Sequence, residues 1–310
     1  MVSAALKLEP IGSPVPAVQR TEISLRDVSV EYPVSRNNTK TVLSGIDLDI
    51  SAGEFVVVLG ETGCGKSTLL RLILGQEFPT NGTVIVDGKQ VRRIDSRCGY
   101  VPQKYSLFPD RTVLGNVMYG PENACCRALG RLRPSYWRFR RSLRSDAREF
   151  LGRMGLRPQD MDKYPHQLSG GMQQRVAIAQ ALMMRPPVLL MDEAFSALDP
   201  STRASLQEQL HILWLETRPT IVFVTHNTSE ALLLGTRLIL LGRHREEDAM
   251  RSNIALDVEI PSARLPFARR KQSSEFQDLR ERVKLLAYKS SSMNREEGTP
   301  DPLDTAGDLQ

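Results

Sequence analysis

The sequence has no long apolar run. A transmembrane helix needs about 18 to 20 consecutive apolar residues, and the best stretch, Ala231 to Leu241, is about half as long and contains Arg237. The first twenty residues also lack the basic start and apolar segment of a secretory signal. We therefore expect a chain that does not span a membrane by itself and stays on the cytosolic side.

Cysteine is scarce as well. The chain has 4 cysteines, and they form neither a Cys-x-x-Cys pair nor a zinc-like spacing with histidine: Cys64, Cys98, Cys125 and Cys126. Reduced thiols are the expectation, with redox sensing at the adjacent pair as the alternative. Cysteine chemistry is therefore not expected to carry the function.

Neither sign of charge is in large excess. Lys and Arg total 41 and Asp and Glu total 36, so the net charge is +5, and hydrophobic residues make up 41% of the chain. These values are typical of globular proteins, and the mild basicity is too weak to indicate a polyanionic partner. The 310 residues suffice for one large domain or two small ones with a sizeable core.

Strand patterns alternate with helical ones along most of the chain. Ile23 to Tyr32 and Thr41 to Ile50 alternate like half-buried antiparallel strands, whereas Glu54 to Gly60 is continuously apolar, as in a strand buried on both faces. Further short apolar strands are predicted at Thr83 to Val86, Gly99 to Val101, Val188 to Met191, Ile221 to Thr225 and Leu238 to Leu241. The pattern predicts an α/β fold: a mainly parallel sheet flanked by helices, with an N-terminal antiparallel β part.

The predicted organisation has four segments. Residues 1–20 form a flexible N-terminal segment, 21–242 the main domain, 243–288 an extension with one helix, and 289–310 a disordered tail. Within the main domain, residues from about 112 to 184 are helical and too long for a simple crossover, so they predict an inserted helical subdomain. The extension's helix, Phe276 to Leu286, is interpreted as a packing helix, with regulation as the alternative.

A phosphate-binding loop follows the buried strand. Gly60 to Ser67 fits G-x-x-x-x-G-K-[ST] between a strand and a helix. This motif is the P-loop of nucleoside triphosphatases. Its backbone N–H groups would hold phosphates, Lys66 would reach the β- and γ-phosphates, and the Ser67 hydroxyl would bind Mg²⁺. The residues predicted to bind nucleotide here are Gly60, Glu61, Thr62, Gly63, Cys64, Gly65, Lys66, Ser67 and Thr68.

Two acids end another buried strand. A P-loop alone leaves kinases, GTPases, helicases and transporters open, but Asp192 and Glu193 follow the strand Val188 to Met191. Asp192 can hold Mg²⁺ through water, and Glu193 can polarise an attacking water. A general base beside the metal-binding acid predicts hydrolysis rather than phosphoryl transfer to a metabolite.

A second helix start carries a distinctive motif. Leu168 to Arg175 reads LSGGMQQR, so Ser169, Gly170 and Gly171 would expose N–H groups and a hydroxyl to a phosphate. With this motif the chain resembles the nucleotide-binding subunits of ATP-binding cassette (ABC) transporters. The resemblance implies that this segment closes on ATP bound by the opposite subunit of a head-to-tail homodimer.

The resemblance extends from about Ile23 to Gly242. It implies that Tyr32 stacks on adenine, with a plain half-buried tyrosine as the alternative, and that Gln103 joins the Mg²⁺ and water shell. It also implies that Ser196 to Asp199 is a dimer-contact loop and that His226 contacts the γ-phosphate. Glu193, His226 and Gln103 are thus the expected catalytic residues, and Ser67, Gln103 and Asp192 the metal-binding ones.

Within the family, the chain is most similar to importers of nitrate, sulfonate and taurine. Three segments carry this likeness: Leu107 to Val117, Glu230 to Leu234 and Pro266 to Leu286. The sequence departs from this group at Asp110-Arg111, where an aromatic or apolar residue is common, and at Asn227, where aspartate is usual.

The resemblance implies two kinds of partner: an integral-membrane permease and a periplasmic or extracellular solute-binding protein. It places this subunit at the cytoplasmic face of the membrane. A soluble ABC-type ATPase acting on nucleic acid or ribosomes is the alternative.

One stretch of the helical subdomain is unusually rich in arginine and aromatic residues. Three interpretations are open: a solvated face, a contact with the permease or the cytoplasmic leaflet, and nucleic-acid binding. The arginines are Arg127, Arg131, Arg133, Arg138, Arg140, Arg141, Arg144 and Arg148, interleaved with Tyr136, Trp137 and Phe139.

Overall fold

The computed structural model describes residues 20–35, 38–94, 97–104, 106–125, 134–244 and 252–292. The segment predicted to be flexible lies outside these residues apart from Arg20, and so does the tail from residue 293 onward. No helix in the described part is long and apolar enough to cross a bilayer. No disulfide links Cys64, Cys98 or Cys125, and Cys126 lies outside the described residues.

Strands and helices follow one another in the order that the sequence predicts. The strands are β1 (Thr21–Ser35), β2 (Asn38–Ser51), β3 (Phe55–Gly60), β4 (Asn81–Val86), β5 (Lys89–Gln90), β6 (Cys98–Val101), β7 (Val188–Asp192), β8 (Thr220–Thr225), β9 (Arg237–Leu241) and β10 (Ile254–Glu259). The helices are α1 (Lys66–Leu74), α2 (Val113–Cys125), α3 (Pro134–Arg153), α4 (Gly170–Met183), α5 (Pro200–Thr217), α6 (Thr228–Leu234), α7 (Phe267–Arg270) and α8 (Ser274–Ser292).

The strands form two sheets. An antiparallel sheet has the order β2-β1-β4-β5, and a larger sheet has the order β10-β9-β3-β8-β7-β6. The larger sheet is parallel except for its edge strand β10. Every residue of β3 is buried, which is why its sequence is continuously apolar. The predicted fold class is confirmed, and the carboxyl ends of β3, β7 and β8 meet at one edge.

Helices α2, α3 and α4 lie in the segment predicted to be an inserted helical subdomain. In α3, Tyr136, Leu143, Ala147 and Leu151 are buried, a spacing that places them on one face of the helix. Leu143, Ala147 and Leu151 pack into the same core as the faces of β3, β7 and β8 that carry Phe55, Met191 and Phe223. The subdomain is thus joined to the sheet by one continuous hydrophobic core.

The C-terminal extension contains more structure than the single helix predicted. Strand β10 pairs with β9, and the short helix α7 precedes α8. Phe276, Leu279 and Val283 of α8 are buried, as their spacing predicts. Strand β10 has an alternating pattern, with Ile254, Leu256 and Val258 on its half-buried face, and sequence analysis did not assign it a strand. Helix α8 also continues past Lys289, where disorder was predicted, because a packed helix propagates into adjoining residues at low cost.

Candidate functional site

The P-loop joins the buried strand β3 to helix α1. Gly63 and Gly65 have φ values of 83° and 101°, in the left-handed region that L side chains rarely adopt. A Cβ at Gly65 would lie 2.6 Å from Leu43 Cδ2, so space as well as backbone conformation requires glycine there. The loop therefore has the glycine-dependent conformation that its motif predicts, and it leads into the start of α1, where an anion is favoured.

Lys66 is the buried cation of this loop. Only 6% of the residue is exposed, and its Nζ donates to the carbonyl oxygens of Gly60 and Glu61, each at 2.7 Å. These carbonyls hold the ammonium group over the loop without neutralising it. A positive charge is thus fixed where the sequence predicts the β- and γ-phosphates.

Asp192 and Glu193 stand at the carboxyl end of β7. Burial raises the pKa of the Asp192 carboxyl, while a hydrogen bond with the Ser67 hydroxyl opposes that shift. Glu193 has a φ of 44°, and its N–H donates to Val224 O at 2.9 Å. The chain therefore turns sharply at Glu193, so that two adjacent acids have different surroundings.

The Glu193 carboxylate brings three distant segments together. Gln103 Nε2 donates to its Oε2 at 3.2 Å, and His226 Nδ1 lies 3.3 Å from its Oε1. The three expected catalytic residues thus form one cluster, although more than thirty residues separate each from the next. The carboxylate is about four-fifths buried and the imidazole is largely exposed, at 19% and 58%.

A cavity of about 580 Å³ lies between the P-loop and this cluster. Loop backbone, a buried ammonium group, and the hydroxyl, amide and carboxylate oxygens of Ser67, Gln103 and Asp192 converge on it. Oxygen ligands of this kind suit Mg²⁺, and the loop suits a triphosphate, so the donor set fits a magnesium nucleotide. The predicted site residues that line the cavity are Thr62, Gly63, Gly65, Lys66, Ser67, Thr68, Gln103, Asp192, Glu193 and His226.

Other predicted site residues lie away from the cavity lining of the described chain. Ser169 is the N-cap of α4, and its Oγ accepts from Met172 N at 3.4 Å. Gly171 packs against Thr202, since a Cβ there would lie 2.6 Å from Thr202 Cγ2. Tyr32 ends the apolar part of β1 and is half-buried. The LSGG segment is therefore a separate helix start, not a second wall of the same cavity.

Arg203 organises the loop predicted to contact a partner subunit. Its guanidinium donates to the carbonyl oxygens of Phe195, Ser196 and Leu198 at 3.1, 3.4 and 2.8 Å. The Ser201 hydroxyl and the Thr202 N–H hold the pKa of the Asp199 carboxyl well below its usual range. Sequence analysis missed Arg203, because no local pattern shows that an arginine in a helix turns back onto the preceding loop.

A buried carboxyl supports the turn that carries His226. Glu230 accepts from Thr225 Oγ1 at 2.6 Å and from Gln207 Nε2 at 2.8 Å, and burial raises the pKa of its carboxyl. Asn227 caps α6 by accepting from Glu230 N at 3.1 Å. Asparagine and aspartate serve equally at an N-cap, so this departure from the family pattern keeps the local structure.

The arginine-rich stretch is only partly within the described residues. Arg127, Arg131 and Arg133 lie outside them, and the others lie on α3. Arg140 pairs with Glu122 and Arg144 with Asp162, whereas no ion pair of the described chain involves the exposed side chains of Arg138, Arg141 and Arg148. Trp137 is 60% exposed beside them. A charged, solvated face is present, and a contact with the permease or leaflet stays a prediction.

Known proteins are similar to this sequence over most of its length. The ABC transporter family profile matches residues 43–196. An uncharacterised ABC transporter ATP-binding protein of Methanocaldococcus jannaschii is 37% identical over 85% of this chain and 90% of its own length. The aliphatic sulfonates import ATP-binding protein SsuB of Burkholderia ambifaria is 39% identical over 88% of this chain and 73% of its own length.

A solved structure has the same fold. It is a dimeric, post-hydrolysis ATP-binding cassette bound to ADP and Pi, with 30% identity and a TM-score of 0.62 over 77% of this chain and 98% of that one. Together with the P-loop, the paired acids and the LSGG helix start, these likenesses settle the family. The chain belongs to the ABC transporter family, as an ATP-binding subunit that hydrolyses ATP.

Proposed function

We propose that this subunit energises an importer and that Glu193 is its catalytic base. The observation that supports this role is the position of the carboxylate beside the P-loop cavity, in contact with both Gln103 and His226. A carboxylate there can take a proton from a water directed at the terminal phosphate. His226 would contact the γ-phosphate, and Gln103 would complete the shell around the water.

The remaining residues bind and orient the nucleotide. The backbone of loop 60–67 and Lys66 hold the phosphates, and Tyr32 stacks on adenine. Ser67, Gln103 and Asp192 would hold Mg²⁺, which neutralises phosphate charge when it is bound. The raised pKa of Asp192 in the isolated chain fits a carboxyl that needs a nearby cation to be stable as an anion.

The working unit we propose is a head-to-tail homodimer. Ser169 to Gly171 expose a helix start that does not line this chain's own cavity, so it is available to the ATP of a second copy. Loop 196–199, held by Arg203, would lie at the same contact. The dimeric state of the similar cassette bound to ADP and Pi supports this arrangement.

The partners we propose are an integral-membrane permease and, for import, a periplasmic or extracellular solute-binding protein. The subunit would lie at the cytoplasmic face of the membrane, attached through the permease. One relative's name refers to aliphatic sulfonates, and the sequence resembles importers of nitrate, sulfonate and taurine, so a small oxyanion is the proposed solute class. The solute itself would contact the partners and not this chain.

Purification from native membranes tests this proposal. The tagged chain is recovered after gentle solubilisation, its partners are identified by mass spectrometry, and MgATP hydrolysis is assayed. We expect a multi-span permease at near-equal abundance. Lys66→Ala, the matched control, should retain the permease and lose hydrolysis, because only the phosphate-binding cation is removed. Recovery from the soluble fraction alone, with nucleic acid or ribosomal proteins, would overturn the transport role and leave the ATPase assignment standing.

A further inference from the structure

The Tyr32 side chain is anchored by a carboxylate from another element. Its hydroxyl donates to Glu77 Oε2 at 2.8 Å, across 45 residues of sequence. Tyr32 also packs on the same hydrophobic cluster as Val42, which lines the nucleotide cavity. The ring is therefore held at two points: its hydrophobic contact on the core and its hydroxyl on Glu77.

Glu77 is in turn fixed to the helix that starts at the P-loop. Its N–H donates to Arg71 O at 3.2 Å, just after α1, whose C-cap is Gly75. Its Oε1 forms an ion pair with Arg71 Nε at 3.2 Å. Neither side chain is fully exposed, at 27% for Glu77 and 39% for Arg71. Backbone and side chain thus give the carboxylate one defined position.

Arg71 continues the connection into the cavity. Its Nη2 donates to Thr68 Oγ1 at 3.2 Å, and both residues line the cavity beside Ser67 and Lys66. A chain of polar contacts therefore runs from the phenol hydroxyl to the first turn of α1. The helix that binds phosphates also sets the place of the aromatic ring.

We propose that Glu77 is a positioning residue for the nucleotide base. It holds the Tyr32 ring in one orientation before ATP binds, so that base stacking does not have to pay for ordering a mobile side chain. The proposal rests on the stacking role of Tyr32 put forward above. A purely structural role for Glu77, joining β1 to α1, would affect phosphates and base alike.

Steady-state kinetics of Glu77→Ala and Tyr32→Phe separate these two roles. Each variant should raise the KM for ATP about fivefold to tenfold, the loss expected for one oriented hydrogen bond, with kcat unchanged. The KM for ATP of the double variant should be no higher than the higher of the two single-variant values, because both changes remove the same contact. Glu77→Gln keeps an oxygen that can accept from the phenol, so it should restore most of the affinity.

Inhibition by inorganic tripolyphosphate provides the second readout. This ligand has phosphates and no base, so its inhibition constant should be the same in wild type and Glu77→Ala. Glu31→Ala is the matched control: it removes an exposed carboxylate next to Tyr32 whose side chain has no ion pair among the described residues. Glu31→Ala should leave the KM for ATP and the inhibition constant of tripolyphosphate unchanged.

Two results would overturn the proposal. One is an unchanged KM for ATP in Glu77→Ala and Tyr32→Phe; the other is an equal weakening of ATP and tripolyphosphate, which would assign Glu77 to the P-loop. Failure of the proposed function is a different result: the chain would then be recovered without a permease, while its hydrolysis of ATP would still allow these constants to be compared. If Glu77→Ala does not fold, Tyr32→Phe and Glu77→Gln decide the question.

Discussion

Glu193 is the residue on which the proposed chemistry depends, and its backbone conformation is costly. A non-glycine residue at a φ of 44° costs on the order of 1 to 2 kcal/mol. The N–H bond to Val224 and the contacts of its carboxylate with Gln103 and His226 offset this cost. Strain of this kind is found at sites where side-chain direction matters more than local stability.

The turn carrying His226 depends on one hydroxyl. Thr225→Val removes the donor to Glu230 and the acceptor for Asn227 N, at 2.6 and 3.1 Å. An unpaired buried carboxyl oxygen costs about 1 to 3 kcal/mol, so we expect the imidazole to shift and kcat to fall about tenfold. The KM for ATP should stay the same, because the P-loop is not touched.

Stopped assays of kcat and KM for Thr225→Val check this expectation. Thr217→Val is its control, since that hydroxyl donates to Leu213 O at the far end of α5, away from the cavity. Wild-type kcat in Thr225→Val, with full activity in the control, would show that the buried carboxyl does not support His226.

At the scale of elements, the C-terminal extension is docked by a buried arginine. Arg270 is 3% exposed and donates to Leu233 O at 2.7 Å, to Ala263 O at 2.9 Å and to Leu265 O at 3.2 Å. Its Nη2 lies 3.3 Å from Nε2 of His211 on α5. The guanidinium is a donor only, so this nitrogen accepts and the imidazole is neutral.

This contact predicts a pH dependence of stability. Burial, with the charges of Arg270 and Arg218, lowers the pKa of His211 to about 4 from its ordinary 6.5. Between about pH 6.5 and pH 4 the unfolded chain binds a proton at this imidazole and the folded chain does not. The free energy of unfolding therefore decreases as the pH is lowered through this range. Between pH 7.5 and pH 5 the loss due to His211 should be about 2 kcal/mol.

Urea denaturation at these two pH values measures the effect. His211→Gln removes the titration, so its stability relative to wild type should improve by that amount at the lower pH. The exposed His166 provides the control, and His166→Gln should follow wild type at both values. Parallel pH profiles for wild type and His211→Gln would show that the docked histidine is not the titrating group.

At the scale of the whole molecule, sequence was sufficient where function uses short contiguous motifs. The P-loop, Asp192 and Glu193 could be predicted because each follows an apolar strand whose end faces the ligand edge of a parallel sheet. The two-sheet fold followed from alternating and continuous apolar patterns. These features depend on neighbours in sequence, so one chain reveals them.

Other features depend on contacts between distant segments. The pairing of Tyr32 with Glu77, the turn of Arg203 onto its loop and the docking of Arg270 all join separate elements. No local pattern signals such contacts, which is why sequence analysis missed these supporting residues.

The central claim is that Glu193 is the catalytic base for hydrolysis of ATP that is held between two copies of the chain. Light scattering after size exclusion, on Glu193→Gln with MgATP, tests it most directly. The amide cannot act as base, so we predict that this variant binds ATP, has almost no turnover and elutes as a dimer, while Lys66→Ala stays monomeric. A Glu193→Gln protein that keeps wild-type turnover, or stays monomeric with ATP bound, would contradict the account.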